Sequence, residues 1–547
     1  MIFLNLFFIF VFCLISFALS GSWERFSSPS YVPHARHSSF FAHVEDYATN
    51  DTFLGDFFIF GGRESSWGSF LSDVIFYRID EDKWVDCILS DDSDGPSDRY
   101  HGSTGFFGSS IVLFGGSIYN DDDTKTSYDE TWILHLDSSI NDNDDAENSS
   151  DDADSDNETA NTVSSDDTDS NSDETTTSKS YIWNLLDVGE SDRPSARAGA
   201  GNVVIGDNMY IYGGRNSNDV SNASSAEDSQ YLNDMWKYNV VSNSWEEIDL
   251  DLTTQVTPGY RYGHLMFSTS FKSENNQKNI ILFGGRRYYS VSEEKKGIFF
   301  NDVYLFNTTS ETWECLFENV ISTNVWREYD APMPRYLSHG GIISSGNKDY
   351  MVMFGGKYWD SVNGHIDFDD LWVFSVEDSE WKIRQKGTIQ EIFDSMSTSQ
   401  VVSSIFEGDD HDYVTTESID VKSLENLELV ILNEIDEIKE SLVLSTNSQE
   451  SPSARYGAAF YTKDNYMYLF GGVHGHAEDE ITVYNDFWRT DMNNYMSTMT
   501  TPILIMLIGL FAVLTGIILV IICTTRKLKS KMEYSRMWEP LALSSPN

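Results

Sequence analysis

The sequence contains few cysteines. Only four of its 547 residues are cysteine. Cys13 lies in an apolar run at the N-terminus and Cys523 lies at the end of an apolar run near the C-terminus, which leaves Cys87 and Cys315 for the body of the chain. Two cysteines exclude the disulfide framework on which small secreted domains depend. We therefore expect the body to be held together by its hydrophobic core.

Basic residues are also scarce. Lys and Arg number 36 against 87 Asp and Glu, which gives a formal net charge of −51. A surface that binds nucleic acid needs concentrated positive charge to meet the phosphate backbone. The charge balance therefore argues against nucleic acid as a partner.

The sequence lacks the common motifs of catalysis. No Gly-x-Ser-x-Gly nucleophile pattern occurs, and no Gly-Gly pair is followed by the Lys-Ser/Thr and helix of a phosphate-binding loop. His474 and His476 could both contact a metal ion, but two ligands fall short of a site. We expect a protein that is not an enzyme, with no cofactor, catalytic residue or metal site.

Two apolar runs predict how the chain is targeted. Residues 2–17 are almost wholly apolar and are followed by small residues, which predicts a signal peptide at residues 1–20, with an uncleaved anchor as the alternative. Residues 502–523 carry no charge and are long enough to cross a bilayer as a helix. Basic residues follow at once, so residues 524–547 should form a cytoplasmic tail. We expect a single-pass type I protein of the plasma membrane or of a secretory or endosomal membrane.

Residues 22–491 repeat one pattern six times. Each copy opens with an Arg, continues into apolar residues that end in Gly-Gly, and then places an acidic or amide residue before another strand-like segment. Five copies close with a Trp. The Gly-Gly pairs begin at Gly61, Gly115, Gly213, Gly284, Gly355 and Gly471. The arginines are Arg36, Arg99, Arg197, Arg261, Arg335 and Arg455, and the tryptophans are Trp84, Trp183, Trp245, Trp313 and Trp381.

This pattern resembles the kelch repeat, whose four strands form one blade of a β-propeller. The resemblance covers residues 22–491 and implies an all-β fold, a six-bladed kelch β-propeller, beside the one transmembrane helix. The sixth copy lacks its closing Trp, but Trp23 lies in a similar strand-like segment at the N-terminus. We expect this N-terminal strand to complete the last blade and so to close the ring, which protects the edges of the terminal blade.

Two insertions interrupt the repeats. Residues 138–180 fall between strands three and four of the second blade and are rich in Asp, Asn, Ser and Thr, so they should be disordered. Residues 385–451 join blades five and six, and their later half has the apolar periodicity of a helix. That helix could cap the rim of the propeller or bind a partner.

The loops between strands two and three predict a ligand-binding face. A basic residue follows the Gly-Gly pair in four blades, and aromatic residues accompany it, a combination typical of binding surfaces. The predicted ligand-binding residues are Arg63, Arg215, Arg286, Lys357, Tyr288, Tyr358 and Trp359. In kelch adaptors such arginines contact acidic peptides, and this resemblance extends the same role to Arg99, Arg261 and Arg335, although an Arg opens strand one in kelch repeats generally. The expected partner is a protein or an acidic glycan.

We therefore expect a membrane-anchored binding module in the secretory lumen or outside the cell. One alternative is a luminal cargo receptor, because Tyr534 and Met537 fit the tyrosine-based motif that clathrin adaptors bind as an extended segment. The other is a propeller enzyme such as the copper-containing galactose oxidase. Sequons for N-glycosylation occur at Asn50, Asn148, Asn157, Asn222 and Asn307.

Overall fold

The computed structural model describes most of the repeat region and little outside it. The described residues are 23–26, 33–44, 54–64, 69–89, 95–120, 124–136, 140–141, 179–189, 192–218, 230–250, 255–274, 277–291, 294–318, 331–360, 364–387, 451–475 and 481–496. Residues Ser22–Thr490 form one compact unit, which contains the sheets; Met1–Gly21 and Asp491–Asn547 form a second.

The repeat region folds into six four-stranded antiparallel sheets, as predicted, and each sheet is one blade of a propeller. Blade 1 contains β2 (Phe40–His43), β3 (Phe57–Arg63), β4 (Phe70–Arg78) and β5 (Lys83–Asp86). Blade 2 contains β6 (Ser103–Phe107), β7 (Ser110–Phe114), β10 (Thr131–His135) and β13 (Trp183–Leu185). Blade 3 contains β14 (Gly201–Ile205), β15 (Asn208–Arg215), β16 (Tyr231–Asn239) and β17 (Ser244–Ile248).

The second half of the ring has the same organisation. Blade 4 contains β18 (Leu265–Glu274), β19 (Gln277–Val291), β20 (Glu294–Asn307) and β21 (Thr312–Phe317). Blade 5 contains β22 (His339–Ser345), β23 (Lys348–Phe354), β26 (Leu371–Ser375) and β27 (Glu380–Gln385). Blade 6 contains β28 (Ala459–Lys463), β29 (Tyr466–Phe470), β32 (Phe487–Asp491) and β1 (Trp23–Phe26).

Short hairpins extend from several blades. They are β8 (Ser117–Tyr119) with β9 (Lys125–Ser127), β11 (Ile140–Asn141) with β12 (Lys179–Ser180), β24 (Lys357–Asp360) with β25 (Gly364–Asp367), and β30 (Val473–His474) with β31 (Thr482–Val483). The second compact unit contributes one short helix, α1 (Met492–Met496).

The N-terminal strand closes the ring, as predicted. β1 pairs antiparallel with β32, and Trp23 lies opposite Thr490 while Phe26 lies opposite Phe487. The indole N–H of Trp23 also donates to the side-chain oxygen of Gln385 in blade 5 at 3.0 Å. Blade 6 is therefore built from both ends of the repeat region, and its third strand has a partner on each side.

A Trp on the fourth strand of each blade packs against the preceding blade. The Trp381 ring lies 5.1 Å from the Phe283 ring, and the Trp23 ring lies 5.3 Å from the Phe354 ring. In each case the partner is the aromatic residue before Gly-Gly in the neighbouring blade. The other pairs are Trp84–Phe470, Trp183–Phe60, Trp245–Phe114 and Trp313–Tyr212. The hydrophobic core is thus formed mainly between the faces of adjacent blades.

The arginine that opens each repeat is buried and pairs with a carboxylate that lies either just before strand three or within it. Arg335 donates to both carboxylate oxygens of Asp370, at 2.5 and 2.8 Å, and to the carbonyl of Gly355 at 3.0 Å. All six arginines are at most 1% exposed. The pairs are Arg36–Asp73, Arg99–Glu130, Arg197–Asp234, Arg261–Asp302, Arg335–Asp370 and Arg455–Asp486.

The Gly-Gly pair lets each blade approach the next one closely. The amide of Gly62 donates to the carbonyl of Arg99 in the following blade at 3.0 Å. A Cβ atom on Gly61 would lie 2.6 Å from the same carbonyl oxygen, so a larger residue cannot fit there. The equivalent bond occurs at every blade boundary, and the last one joins Gly472 of blade 6 to Arg36 of blade 1.

Several predictions fall outside the described residues. The first insertion lies between β10 and β13, but its residues 138–139 and 142–178 are not described, and neither are 388–450 of the second insertion. The signal peptide, the transmembrane segment 502–523 and the tail motif also lie outside them. Among the described residues no helix is long and apolar enough to span a membrane. Of the five sequons, only Asn307 has a described side chain.

Candidate functional site

One backbone contact places the residue after Gly-Gly at the same end of the central channel in every blade. This residue forms an isolated antiparallel bridge with the residue that follows the buried arginine. In blade 4, Arg286 and Tyr262 exchange two hydrogen bonds, at 2.9 and 3.0 Å. The six bridges are His37–Arg63, Tyr100–Ser117, Ala198–Arg215, Tyr262–Arg286, Tyr336–Lys357 and Tyr456–Val473.

A ring of backbone hydrogen bonds lies directly beneath these bridges. The amide of each ring residue donates to the carbonyl of its counterpart in the preceding blade, at 2.6 to 3.1 Å. All six residues have positive φ angles between 52° and 69°, in the left-handed region that glycine tolerates best. The ring consists of Ser38, His101, Gly199, Gly263, Leu337 and Gly457.

Above this ring lies a cavity of about 170 Å³. Four cations from four blades line it: Arg63, Lys125, Arg215 and Arg286, which we call the basic mouth. Tyrosine rings and two histidines form much of the remaining wall, and none of the described lining residues is acidic. In a chain with a net charge of −51, this is a local concentration of positive charge.

The cations stand against the tyrosine rings. Arg63 lies 5.1 Å from the ring centroid of Tyr100 and 5.2 Å from that of Tyr119, and Lys125 lies 5.3 and 5.6 Å from the same two rings. Arg286 lies 4.0 Å from the ring of Tyr336. Such contacts stabilise a positive charge at a partly desolvated site. They also hold the cations in place without neutralising them.

Burial and like charges make the basic mouth electrostatically strained. Burial, followed by the charges of Arg215, Arg286 and Arg63, lowers the pKa of Lys125 to about 7. Burial and the neighbouring cations, Lys125 first among them, hold the pKa of His101 well below its ordinary value, so its imidazole is neutral. Lys125 is therefore only partly protonated at neutral pH.

The structure gathers some of the predicted ligand-binding residues and separates others. Arg63, Arg215 and Arg286 line the cavity, and Tyr288 accepts a hydrogen bond from Arg286 at 3.0 Å. Lys357 is only 5% exposed: its ammonium lies 4.1 Å from the ring centroid of Tyr456 and donates to a backbone carbonyl. Burial lowers its pKa to about 8.

Two further predicted residues belong to an aromatic cluster beside the cavity and do not line it. The Tyr358 ring lies 4.9 Å from the Phe299 ring, and Trp359 packs against the same cluster. Their contacts join the hairpin of blade 5 to the long hairpin of blade 4. The ligand role that resemblance extended to Arg99, Arg261 and Arg335 does not match their positions, because all three are fully buried in ion pairs.

Lys125 lines the cavity but was not among the ligand-binding residues predicted from the sequence. In blade 2 the residue after Gly-Gly is Ser117, which carries no charge. The hairpin formed by β8 and β9 pairs Lys125 with Tyr119 and brings the ammonium to the cavity. A basic residue on the second strand of the hairpin that follows Gly-Gly would have been the signal.

The described residues contain no cluster that resembles a metal or redox centre. No group of three or more His, Cys, Asp or Glu among them could hold a metal ion. His474 pairs with Asp367 at 3.0 Å, and His476 lies outside the described residues. Cys87 and Cys315 are free thiols, and burial raises the pKa of Cys87 to about 12.

The fold and the basic mouth define a β-propeller of six four-stranded blades with a basic cavity at one end of its channel. The family model of the KLHDC2/KLHL20/DRC7 Kelch-repeats domain matches residues 152–406, just under half of the chain. This match and the six repeats show that the chain is similar to kelch-repeat propellers.

Curated relatives are similar over about a third of the chain. Tip elongation aberrant protein 1 of Schizosaccharomyces pombe is 28% identical over 207 residues, which is 37% of this chain and 14% of that protein. Kelch domain-containing protein 10 of Xenopus tropicalis is 26% identical over 190 residues, 34% of this chain and 38% of that protein. The similarity therefore spans well under half of either relative.

Proposed function

We propose that this protein is a binding module that holds an acidic segment of a partner protein at the basic mouth. The observation that carries the proposal is the convergence of four cations on one cavity whose described lining includes no carboxylate. Charges arranged this way attract an anion, and the site excludes competing cations. Kelch-repeat propellers generally serve as binding modules, which favours this function over catalysis.

The contacts of the basic mouth fit an acidic peptide. Arg215 uses two of its nitrogens to donate to Gln230, at 2.6 and 3.0 Å, and this holds the guanidinium in place. Arg286 is held by Tyr288 and by the rings around it. Preorganised arginines lose little side-chain entropy on binding, so their charge-assisted hydrogen bonds contribute more to affinity.

Peptide capture by the full-length chain in detergent tests this function. The probe is a degenerate pool of short fluorescent peptides with fixed Asp and Glu residues. The double variant Arg215→Gln, Arg286→Gln should bind at least tenfold more weakly, because each lost charge-assisted bond contributes about 1.5–3 kcal/mol. Its melting temperature should change little, since neither side chain belongs to a buried ion pair.

A charge-matched control removes two cations from the opposite face. Lys272 and Lys348 lie in strand one-to-two hairpins and form surface ion pairs with Glu314 and Asp378. The variant Lys272→Gln, Lys348→Gln should keep full affinity. Equal losses in both double variants would show general charge attraction and would refute a site at the basic mouth. A pool of sulfated oligosaccharides provides the comparison for an acidic glycan.

The membrane context is part of the same proposal. A signal peptide at residues 1–20 and a span at residues 502–523 would place the propeller in a secretory lumen or outside the cell. In the cargo-receptor form of the proposal, Tyr534 and Met537 occupy two apolar pockets of a clathrin adaptor. Tyr534→Ala should then shift the protein from internal membranes to the cell surface, as followed by surface labelling, and an unchanged distribution would remove the cargo-receptor form.

A further inference from the structure

The wall of the cavity contains two donor nitrogens that have no hydrogen-bond partner. Nε of Arg286 and Nε2 of His101 are both shielded from solvent, and neither has a partner among the described residues. The hydroxyl of Tyr262 lies 2.5 Å from Nδ1 of His101. We assign Nδ1 as the acceptor, which leaves the proton of the neutral ring on Nε2. Buried donors in native proteins are almost always satisfied, so these two nitrogens are suited to an acceptor that enters the cavity.

Further donors face the same space. Lys125 and Arg63 share the ring pair of Tyr100 and Tyr119, and Arg215 approaches from a third blade. The donors therefore lie on several sides of the cavity and not in one plane. A carboxylate offers two oxygens in one plane, which suits a single bidentate arginine. An ester of a tetrahedral oxyanion offers three oxygens in three directions.

We propose that the basic mouth binds a tetrahedral oxyanion ester, phosphate or sulfate, carried by a side chain of the partner's acidic segment. The proposal rests on the proposed function, because the ester lies within the peptide that the module holds. The cavity of about 170 Å³ has ample room for such a group, since a single water needs only about 10–15 Å³. Lys125 acts as the residue that distinguishes the ester from a carboxylate.

The role of Lys125 follows from its surroundings. A guanidinium group stays protonated in proteins, so a carboxylate could pair with the arginines of the basic mouth whether Lys125 is charged or not. Burial and the neighbouring arginines together lower the pKa of Lys125, and a phosphate ester, with up to two negative charges, offsets both and restores its ammonium. A sulfate ester carries one charge but still offers a third oxygen to that ammonium. Lys125 should therefore contribute to binding the ester much more than to binding a carboxylate.

Four degenerate peptide pools test the proposal on the full-length chain. They differ only in the fixed central residue, which is phosphoserine, sulfotyrosine, glutamate or serine. We expect the phosphoserine or the sulfotyrosine pool to be retained at least tenfold better than the glutamate pool. Lys125→Gln should reduce the ratio of ester-pool to glutamate-pool retention about tenfold, without changing retention of the glutamate pool. Lys125→Arg should restore that ratio. An unchanged melting temperature and the rescue by arginine exclude a fault in folding.

The outcomes separate failure of the ester proposal from failure of the proposed function. The better retained of the two ester pools identifies the source of the oxyanion. Equal retention of the glutamate and ester pools overturns the ester and leaves the acidic-segment function standing. Displacement of the peptides by inorganic phosphate, with no ester preference, also overturns it and marks a small-anion site only. If no pool depends on Arg215 and Arg286, the ester and the proposed function fail together.

Discussion

Breaking a buried arginine–carboxylate pair should lower the free energy of unfolding more, the more deeply the carboxylate is buried. Three blades provide a series in which the burial of the carboxylate differs. The side chain of Asp370 is 0% exposed, that of Asp234 is 26% exposed and that of Asp73 is 37% exposed. In all three pairs the arginine is at most 1% exposed. The substitution in each case is Asp→Asn, which keeps the shape and removes only the charge.

The expected cost is largest for Asp370. Removing one partner of a buried pair leaves an uncompensated charge and costs about 3–5 kcal/mol. At Asp73 water reaches the carboxylate and screens the pair, so the cost should be nearer 1–2 kcal/mol, between the buried and the surface ranges. Burial opposes the ionisation of Asp234, but Arg197 outweighs it and holds the pKa of that carboxyl below its ordinary value. Asp234 should therefore lie between the other two.

Thermal unfolding of the full-length chain, followed by tryptophan fluorescence, measures the series. At about 2 °C per kcal/mol for a large domain, Asp370→Asn should lower the melting temperature by roughly 6–10 °C. The surface variant Asp378→Asn, whose pair with Lys348 is exposed, should lower it by about 2 °C or less. If Asp73→Asn and Asp370→Asn lower it equally, burial does not set the cost and the reasoning is refuted.

Three further perturbations test other parts of the molecule. Gly199→Ala should destabilise the propeller by several kcal/mol in urea unfolding, because a Cβ there would overlap a tyrosine ring. Gly259 also has a positive φ but lies in open space, so Gly259→Ala should cost only about 1–2 kcal/mol. Equal costs would contradict the steric argument. Trp23→Ala should cost about 3–5 kcal/mol by opening the junction between the chain ends, and a melting temperature like that of the native chain would contradict closure by β1. Affinity for an ester peptide should fall by about tenfold in total between pH 7 and 9, because a bound anion favours the charged form of Lys125, whose pKa is lowered to about 7 by burial and the neighbouring arginines. Lys125→Arg should flatten that dependence, and a flat native profile would refute it.

The fold was predictable because each repeated residue has a local reason to be there. Gly61 must be glycine to fit against the carbonyl of the next blade, and Trp381 must be large to fill the space between two blades. Such requirements recur six times at a regular spacing, so the pattern is visible without knowing the fold. The closure by Trp23 followed from the same logic, since one blade lacked its fourth strand.

The site was only partly predictable, because it depends on the path of individual hairpins. Lys357 follows Gly-Gly just as Arg286 does, yet its ammonium is buried against Tyr456. Lys125 does not follow Gly-Gly, yet the hairpin of blade 2 delivers it to the cavity. Sequence spacing gives the position of a backbone bridge but not the direction of a long side chain beyond it.

The bridge position itself separates what the fold requires from what a ligand requires. Its backbone geometry is the same in all six blades, with paired hydrogen bonds between the residue after Gly-Gly and the residue after the buried arginine. Ser117 and Val473 satisfy this geometry as well as Arg215 and Arg286 do, so the propeller does not need a cation there. The basic residues instead repel one another because they lie close together. The carboxylates of the buried ion pairs do not offset this repulsion. A bound anion removes that repulsion, so the basic mouth, unlike the regular framework around it, is suited to hold a ligand.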